Sequence, residues 1–291
     1  MRVYFFGKPI TVKLANQLKP VFDKLFSLGI EVLMNTALHK SLSKECDCLD
    51  KVSLVDKGVD FSTIDCAVSV GGDGTLLELV TQINRAGTPV LGVNAGRLGF
   101  LATTSISESE KIIQGILEEN QQFDKRSLIR LETNMELFGS QNFALNEFAI
   151  TKRDTSSMIV IKAYIDGEFL NSYWADGLIV STPTGSTGYS LSAGGPLVMP
   201  QTNNFIITPI NPHSLTVRPV VVPDNCEIRL KVEGRAKKVL ISLDHRSVSV
   251  GTEVDIVLRK EDFEVNLLKL ESYNYFNTLR NKLNWGLDNR N

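Results

Sequence analysis

A chain of 291 residues with 43% hydrophobic and 22% charged content can bury one large or two ordinary cores without help from metals or disulfides. Its 31 Lys and Arg are offset by 33 Asp and Glu, a net charge of -2, so no global basic field points to nucleic acid or an anionic membrane, and a small soluble ligand fits better. Cys46, Cys48, Cys66 and Cys226 form no CxxC pair and have no His at metal-site spacing, so neither a zinc knuckle nor a disulfide framework is expected, and no metal ligands are assigned. The opening MRVYFFGKP lacks a long apolar core with a small-residue cleavage site, and no apolar run reaches the ~20 residues of a membrane span. A cytoplasmic protein with reduced thiols is the expectation.

Residues 1–125 alternate short apolar runs with helical patterns. Arg2 to Phe6 reads as a strand, and Leu14, Leu18, Val21, Phe22 and Leu25 then recur at three- and four-residue steps as one buried helix face, with Pro20 inside it as a kink or a start. Ile30 to Met34, Asp65 to Val70 and Val90 to Val93 read as further strands, with a helix marked by Leu76, Leu79, Val80 and Ile83 between the last two. That alternation predicts a parallel sheet with helices on its faces. Residues 126–269 change to β-branched and aromatic runs separated by turn residues, which predicts a largely β second domain. Met158 to Ile165 and Glu168 to Tyr173 flank the turn dipeptide Asp166-Gly167, and Cys226 to Val232 with Lys238 to Leu243 form a similar pair around Glu233-Gly234-Arg235. Residues 270–291 return to helical spacing through Tyr273, Phe276, Arg280 and Leu283, predicting a closing helix.

Four segments carry chemistry. Gly71-Gly72-Asp73-Gly74-Thr75 lies between a strand and a helix, where glycines let the backbone approach a phosphate chain and the helix N-terminus favours an anion. Asp73 is the odd member, because a carboxylate repels phosphate unless it works with a metal ion or accepts the proton of an attacking hydroxyl. Read alone, the segment also fits a tight turn with Asp73 capping the helix. No GxxxxGK[ST] supports a Walker-type kinase, and no GxGxxG follows the first strand as in an ordinary dinucleotide-dependent dehydrogenase. Asn94-Ala95-Gly96-Arg97-Leu98-Gly99-Phe100-Leu101 follows a strand and suits a ligand-facing loop, with Phe100 able to stack on a base. Asn146-Glu147 interrupts the apolar strand Phe143 to Ile150, offering a donor-acceptor amide beside a carboxylate able to accept from ribose hydroxyls. The longest segment, Asp176 to Pro196, runs from a strand into a loop dense in hydroxyls and glycines, as recognition of a polar ligand requires.

In this order the segments resemble those of the NAD kinases: GGDGT at 71–75, NAGRLGF at 94–100, NE at 146–147 and DGLIVSTPTGSTGYSLSAGGP at 176–196. Pro212-His213-Ser214-Leu215 and Arg218-Pro219 extend the resemblance, which covers most of the chain from about Asp65 to Asp244. GGDGT alone is shared with diacylglycerol-type lipid kinases and more loosely with phosphofructokinases; the long downstream block is not. The resemblance implies a Rossmann-like α/β N-terminal domain, a β-rich, sandwich-like C-terminal domain, an NAD site between them, and a homo-oligomer. It also implies NAD and ATP as substrates, with Mg2+ or another divalent cation accompanying the ATP. By that likeness Asp73 is the general base, and Gly72, Gly74, Asn146 and Glu147 contact the dinucleotide. Asp176 binds near the nicotinamide end, and Phe100, Thr184, Thr187, Gly188, Tyr189, Ser190, Leu191 and Ser192 line the rest. His245 and Arg246 fall where the family approaches the nucleotide phosphates, and Ser157 stands where a more distinctive contact is common. Two departures stand out: Trp174 replaces a Lys or Arg two residues before Asp176, and Thr187-Gly188-Tyr189 replaces Thr-Ala-Tyr. Two other readings share parts of the pattern: a lipid kinase, resting on GGDGT alone, and a non-enzymatic NAD-sensing protein, against which Asp73 argues.

Overall fold

The computed structural model describes residues 1–43, 47–153, 158–234, 237–270 and 274–285. It divides the chain into two units: Met1–Asp124 with Val265–Asn291, and Lys125–Glu264. The second crossing comes earlier than the change of texture at 269 suggests, because the strand Val265–Leu268 pairs in parallel with Val90–Asn94 of the first unit.

The first unit is built on an eight-stranded sheet whose core order is Ser53–Leu54, Glu31–Met34, Arg2–Gly7, Cys66–Gly71, Val90–Asn94, all parallel. The chain starts in the middle, winds outward to one side and then to the other. The order therefore reverses between Arg2–Gly7 and Cys66–Gly71, and a doubly wound sheet places its ligand crevice beyond the carboxyl ends of the strands at such a reversal. The helix Val12–Ser27 packs Ala15, Leu18, Val21, Phe22 and Leu25 onto the sheet, the four larger side chains being worth roughly 1.5–3 kcal/mol each. Pro20 lies within this helix on its exposed side and does not interrupt it. The closing helix is Tyr275–Leu283, capped by the Asn274 carboxamide oxygen, which accepts the N–H groups of Phe276 and Asn277. Tyr273, expected in this helix, lies outside the described residues, as do Cys46 and the side chain of Cys48. Cys66 and Cys226 are free and buried.

The second unit contains two six-stranded antiparallel sheets. One runs Val220–Pro223, Asn204–Ile210, Gly177–Ser181, Glu147–Lys152, Lys238–Leu243, Arg246–Gly251; the other runs Glu168–Ala175, Ile159–Ile165, Ile228–Glu233, Ile256–Lys260, Ile129–Thr133, Phe143–Ala144. Alternate residues of both sheets, among them Phe148, Ile150, Val180, Phe205 and Ile241 from the first and Ile159, Ile161, Tyr173, Leu230 and Leu258 from the second, share one core. This is the sandwich arrangement of two apolar faces. The Asp166-Gly167 hairpin forms with φ of 50° and 87° at its two turn residues.

Two expected strand relations differ. Ile228–Glu233 and Lys238–Leu243 are not a hairpin: the former pairs with Ile159–Ile165 and Ile256–Lys260, the latter with Glu147–Lys152 and Arg246–Gly251 of the other sheet. The run Phe143 to Ile150 is likewise two strands, Phe143–Ala144 and Glu147–Lys152, in different sheets. The chain changes sheet at Leu145-Asn146, which is where the polar pair stands.

Candidate active site

In the first unit, Gly71 ends a strand at the sheet reversal and Asp73 opens the helix Asp73–Ile83, with Gly72 as its N-cap. A Cβ at Gly71 would lie 2.3 Å from Thr75 Oγ1, so only glycine allows the strand to enter the helix this tightly. Gly72 and Gly74 are exposed, and the first turn of the helix presents its positive end beside them. The Asp73 carboxylate reaches across to the segment 99–102. Its Oδ2 accepts the Phe100 N–H at 2.9 Å, and its Oδ1 accepts those of Leu101 at 3.0 Å and Ala102 at 2.9 Å. GGDGT and NAGRLGF are thus one assembly.

Oδ1 has both lone pairs engaged, whereas Oδ2 has one to spare for an incoming hydroxyl. Phe100 is half-buried, and the Leu98 carbonyl accepts from Lys282 Nζ of the closing helix at 2.6 Å. A Cβ at Gly99 would sit 2.0 Å from Asp73 Oδ1. Gly99→Ala should therefore lower unfolding free energy by about 1–3 kcal/mol, read from denaturant midpoints, through forced displacement of the carboxylate or the loop. Wild-type stability in that variant would mean that the contact is not tight.

In the second unit the segment Leu145-Asn146-Glu147 is held from two sides. Asp244 Oδ2 accepts the Leu145 N–H at 2.9 Å, and Oδ1 accepts those of Asn146 at 2.8 Å and Glu147 at 3.1 Å. The Asp244 N–H returns a bond to the Glu147 carbonyl at 3.0 Å. Opposite, Thr182 gives its hydroxyl to the Leu145 carbonyl at 2.6 Å and its N–H to the Asn146 carbonyl at 2.9 Å. The Asn146 amide has no partner among the described residues. Its Nδ2 faces Gly188, as does Glu147 Oε2, 2.8 Å from where a Cβ at 188 would stand. Glu147 Oε2 is enclosed and unpartnered, and the Glu147 pKa rises from 4.5 to about 8, first through burial and then through the Asp244 charge, opposed by a hydrogen bond from the Tyr189 N–H. The shift favours the protonated acid, which offers one donor and one acceptor, over the two-oxygen acceptor of the ionised form.

The hydroxyl-rich segment splits in two. Thr184 and Ser190 are buried with their hydroxyls turned inward, bonded to Arg126 Nη1 at 3.2 Å and Thr208 Oγ1 at 2.9 Å, so these side chains brace the loop instead of facing a ligand. Thr187, Gly188, Tyr189, Leu191 and Ser192 lie at or near the surface. Asp176 bonds Lys152 Nζ at 2.6 Å and Asn211 Nδ2 at 3.2 Å, contacts that hold its carboxyl below the ordinary range. Trp174 is exposed, and Lys152 reaches Asp176 from a neighbouring strand of the same chain. His245 is exposed, while Arg246 donates to the carbonyls of Gln141 and Phe143 and lies 5.8 and 5.7 Å from the Phe138 and Phe143 ring centroids. Its guanidinium is committed to its own unit. Ser157 lies outside the described residues. Asp244 and Thr182 were not singled out as site residues by the sequence, because an Asp in a hairpin turn, as at Asp166, is ordinary turn chemistry.

The first unit carries a doubly wound sheet with a glycine-rich loop and a carboxylate at its reversal, the second a polar segment around Asn146-Glu147, and comparison with known proteins identifies the class as a phosphotransferase. The ATP-NAD kinase N-terminal domain matches residues 3–121 and the ATP-NAD kinase C-terminal domain residues 145–270. The chain is 57% identical over 232 residues to an NAD kinase of Cytophaga hutchinsonii, covering 80% of each chain, and 49% identical over 288 residues to one of Flavobacterium psychrophilum, covering 95% and 96%. An Archaeoglobus fulgidus NAD kinase solved with ATP superposes with a TM-score of 0.76 at 26% identity over 98% and 99% of the chains. Yeast NADH kinase solved with NADH shares the fold, with a TM-score of 0.87 at 24% identity over 100% and 89%. The chain belongs to the NAD kinase family.

Proposed function

We propose that this chain transfers the terminal phosphoryl group of ATP, or of another phosphoryl donor, to the adenosine 2'-hydroxyl of NAD, giving NADP, with Asp73 as the general base. The observation that carries the reading is the Asp73 carboxylate, fixed by three backbone N–H groups at a helix N-terminus with one oxygen still able to accept. Phosphoryl transfer has a loose transition state, so alignment and charge stabilisation dominate. Oδ2 takes the proton of the 2'-hydroxyl as its oxygen bonds to phosphorus and the diphosphate leaves. The exposed Gly72 and Gly74 leave room for phosphates at the positive end of the helix. In the second unit, Asn146, Glu147, Thr187 to Tyr189, Leu191 and Ser192 present the groups that hold the dinucleotide, with Asp176 toward its nicotinamide end.

Among the described residues no three His, Cys, Asp or Glu side chains converge as a metal site. A divalent cation, Mg2+ above all, belongs to this reading as part of the metal-triphosphate substrate. Among the described residues no helix is long and apolar enough to cross a membrane, and the proposal places the enzyme in the cytoplasm as a homo-oligomer. The test incubates purified protein with NAD, Mg2+ and either ATP or polyphosphate and detects NADP with an NADP-specific dehydrogenase. NADP formation is expected. Measurable NAD binding without NADP from either donor would move the assignment to an NAD-sensing protein.

A further inference from the structure

The Asp244-His245 turn joins Lys238–Leu243 to Arg246–Gly251, and Asp244 adopts a φ of 51° there. Left-handed backbone is easiest for Gly and tolerated by Asn and Asp alike, as at Asp166, so turn geometry allows Asp244 without by itself requiring a carboxylate. Nor does stability call for it. Burial raises the Asp244 carboxyl above its ordinary value, although the N–H groups of Leu145, Asn146 and Glu147 and then the Arg246 charge act the other way. Every backbone polar group of residues 145–147 is nevertheless satisfied, the three N–H groups and the Glu147 carbonyl by Asp244, the remaining two carbonyls by Thr182. Of the three residues only Glu147 lies in a strand, opposite Ser181, whereas Leu145 and Asn146 lie between strands of different sheets, where the bonds to Asp244 and Thr182 hold them.

We infer that Asp244 is a positioning residue for the reaction: its carboxylate sets the backbone of residues 145–147 before NAD arrives, so that Asn146 and Glu147 meet the dinucleotide already oriented. The inference rests on the reading that this pair contacts NAD. Without the carboxylate the ordering entropy of the segment falls on ligand binding and weakens it. Asp244 touches no substrate itself.

Two measurements decide it. In the wild-type protein without ligand, the amides of Leu145, Asn146 and Glu147 should exchange slowly with solvent and be little changed by saturating NAD. Fast exchange that becomes slow only with NAD would overturn the inference, and this holds even if substitutions at 244 prevent folding. The second is a double-mutant cycle with Asp244→Asn and Asn146→Ala. Asp244→Asn turns a donor toward the Leu145 N–H and should raise KM for NAD about tenfold, with KM for ATP moved less than about twofold. If Asp244 acts through the pair, the double variant has the KM of the worse single variant; a merely structural role gives effects that multiply. An unchanged KM for NAD in Asn146→Ala refutes the contact reading, and the inference with it. A raised KM in Asn146→Ala alone, with Asp244→Asn at the wild-type value, refutes the inference and leaves the contact standing.

Discussion

Asp73→Asn should lower kcat for NADP formation by about 10²–10⁴-fold, the usual contribution of a general base, while KM for NAD moves by less than about threefold. The split follows from the way the carboxylate is held. An asparagine can keep its oxygen at the Oδ1 position, where it still accepts the N–H groups of Leu101 and Ala102. Its NH2 then replaces Oδ2, opposes the Phe100 N–H and has no lone pair for a proton. One loop contact is lost and the base disappears. Asp73→Ala should do something different: three N–H groups lose their acceptor together, each at about 1–3 kcal/mol if no water replaces it, so a fall in stability accompanies the fall in rate. Comparing the two variants by steady-state kinetics and denaturant unfolding separates the proton acceptor from the loop anchor. A kcat within threefold of wild type in Asp73→Asn would remove Asp73 from the chemistry.

Both halves of this arrangement were legible in the sequence, but not the bonds between them. The glycines of 71–75 and 94–100 mark two loops at strand ends, and strand order brings those ends side by side; nothing in spacing says that Asp73 turns toward residues 100–102 rather than toward a ligand. The β unit was harder. An alternating pattern identifies which residues of a strand face the core but not which sheet the strand joins, so Ile228–Glu233 and Lys238–Leu243 looked like a hairpin. The same blindness ran Phe143 to Ile150 into one strand and hid the sheet change that leaves Leu145 and Asn146 between strands, with Glu147 opening the next one. Hydroxyls in a loop read as ligand contacts, yet Thr184 and Ser190 turn inward, because a loop rich in small residues has little apolar bulk to pack and uses hydrogen bonds to fix itself. Asp244 is a single polar residue in a turn, and its partners lie about a hundred residues away.

Glu147→Gln should give a protein whose stability no longer falls with pH in the window where the wild type loses it. In the folded chain the Glu147 carboxyl keeps its proton to about 8, raised from 4.5 by burial first and the Asp244 charge second. Between those values the folded state binds more protons than the unfolded state, so unfolding free energy declines as pH rises, by at most 1.36 kcal/mol per unit. The full shift sets a ceiling that water entry and side-chain relaxation reduce, leaving an expected difference of about 2 kcal/mol across the window. Glutamine has the shape and the donor-acceptor pattern of the protonated acid and cannot ionise. Wild type and Glu147→Gln should therefore unfold at similar denaturant concentrations near pH 5 and diverge toward pH 8.5, with the variant the more stable. Near pH 7 the two should also bind NAD alike, within about threefold, since both offer one donor and one acceptor. A stability difference that stays constant across this range would mean that Glu147 ionises normally, and that the closeness of Asp244 leaves its charge unopposed by any proton held in the fold.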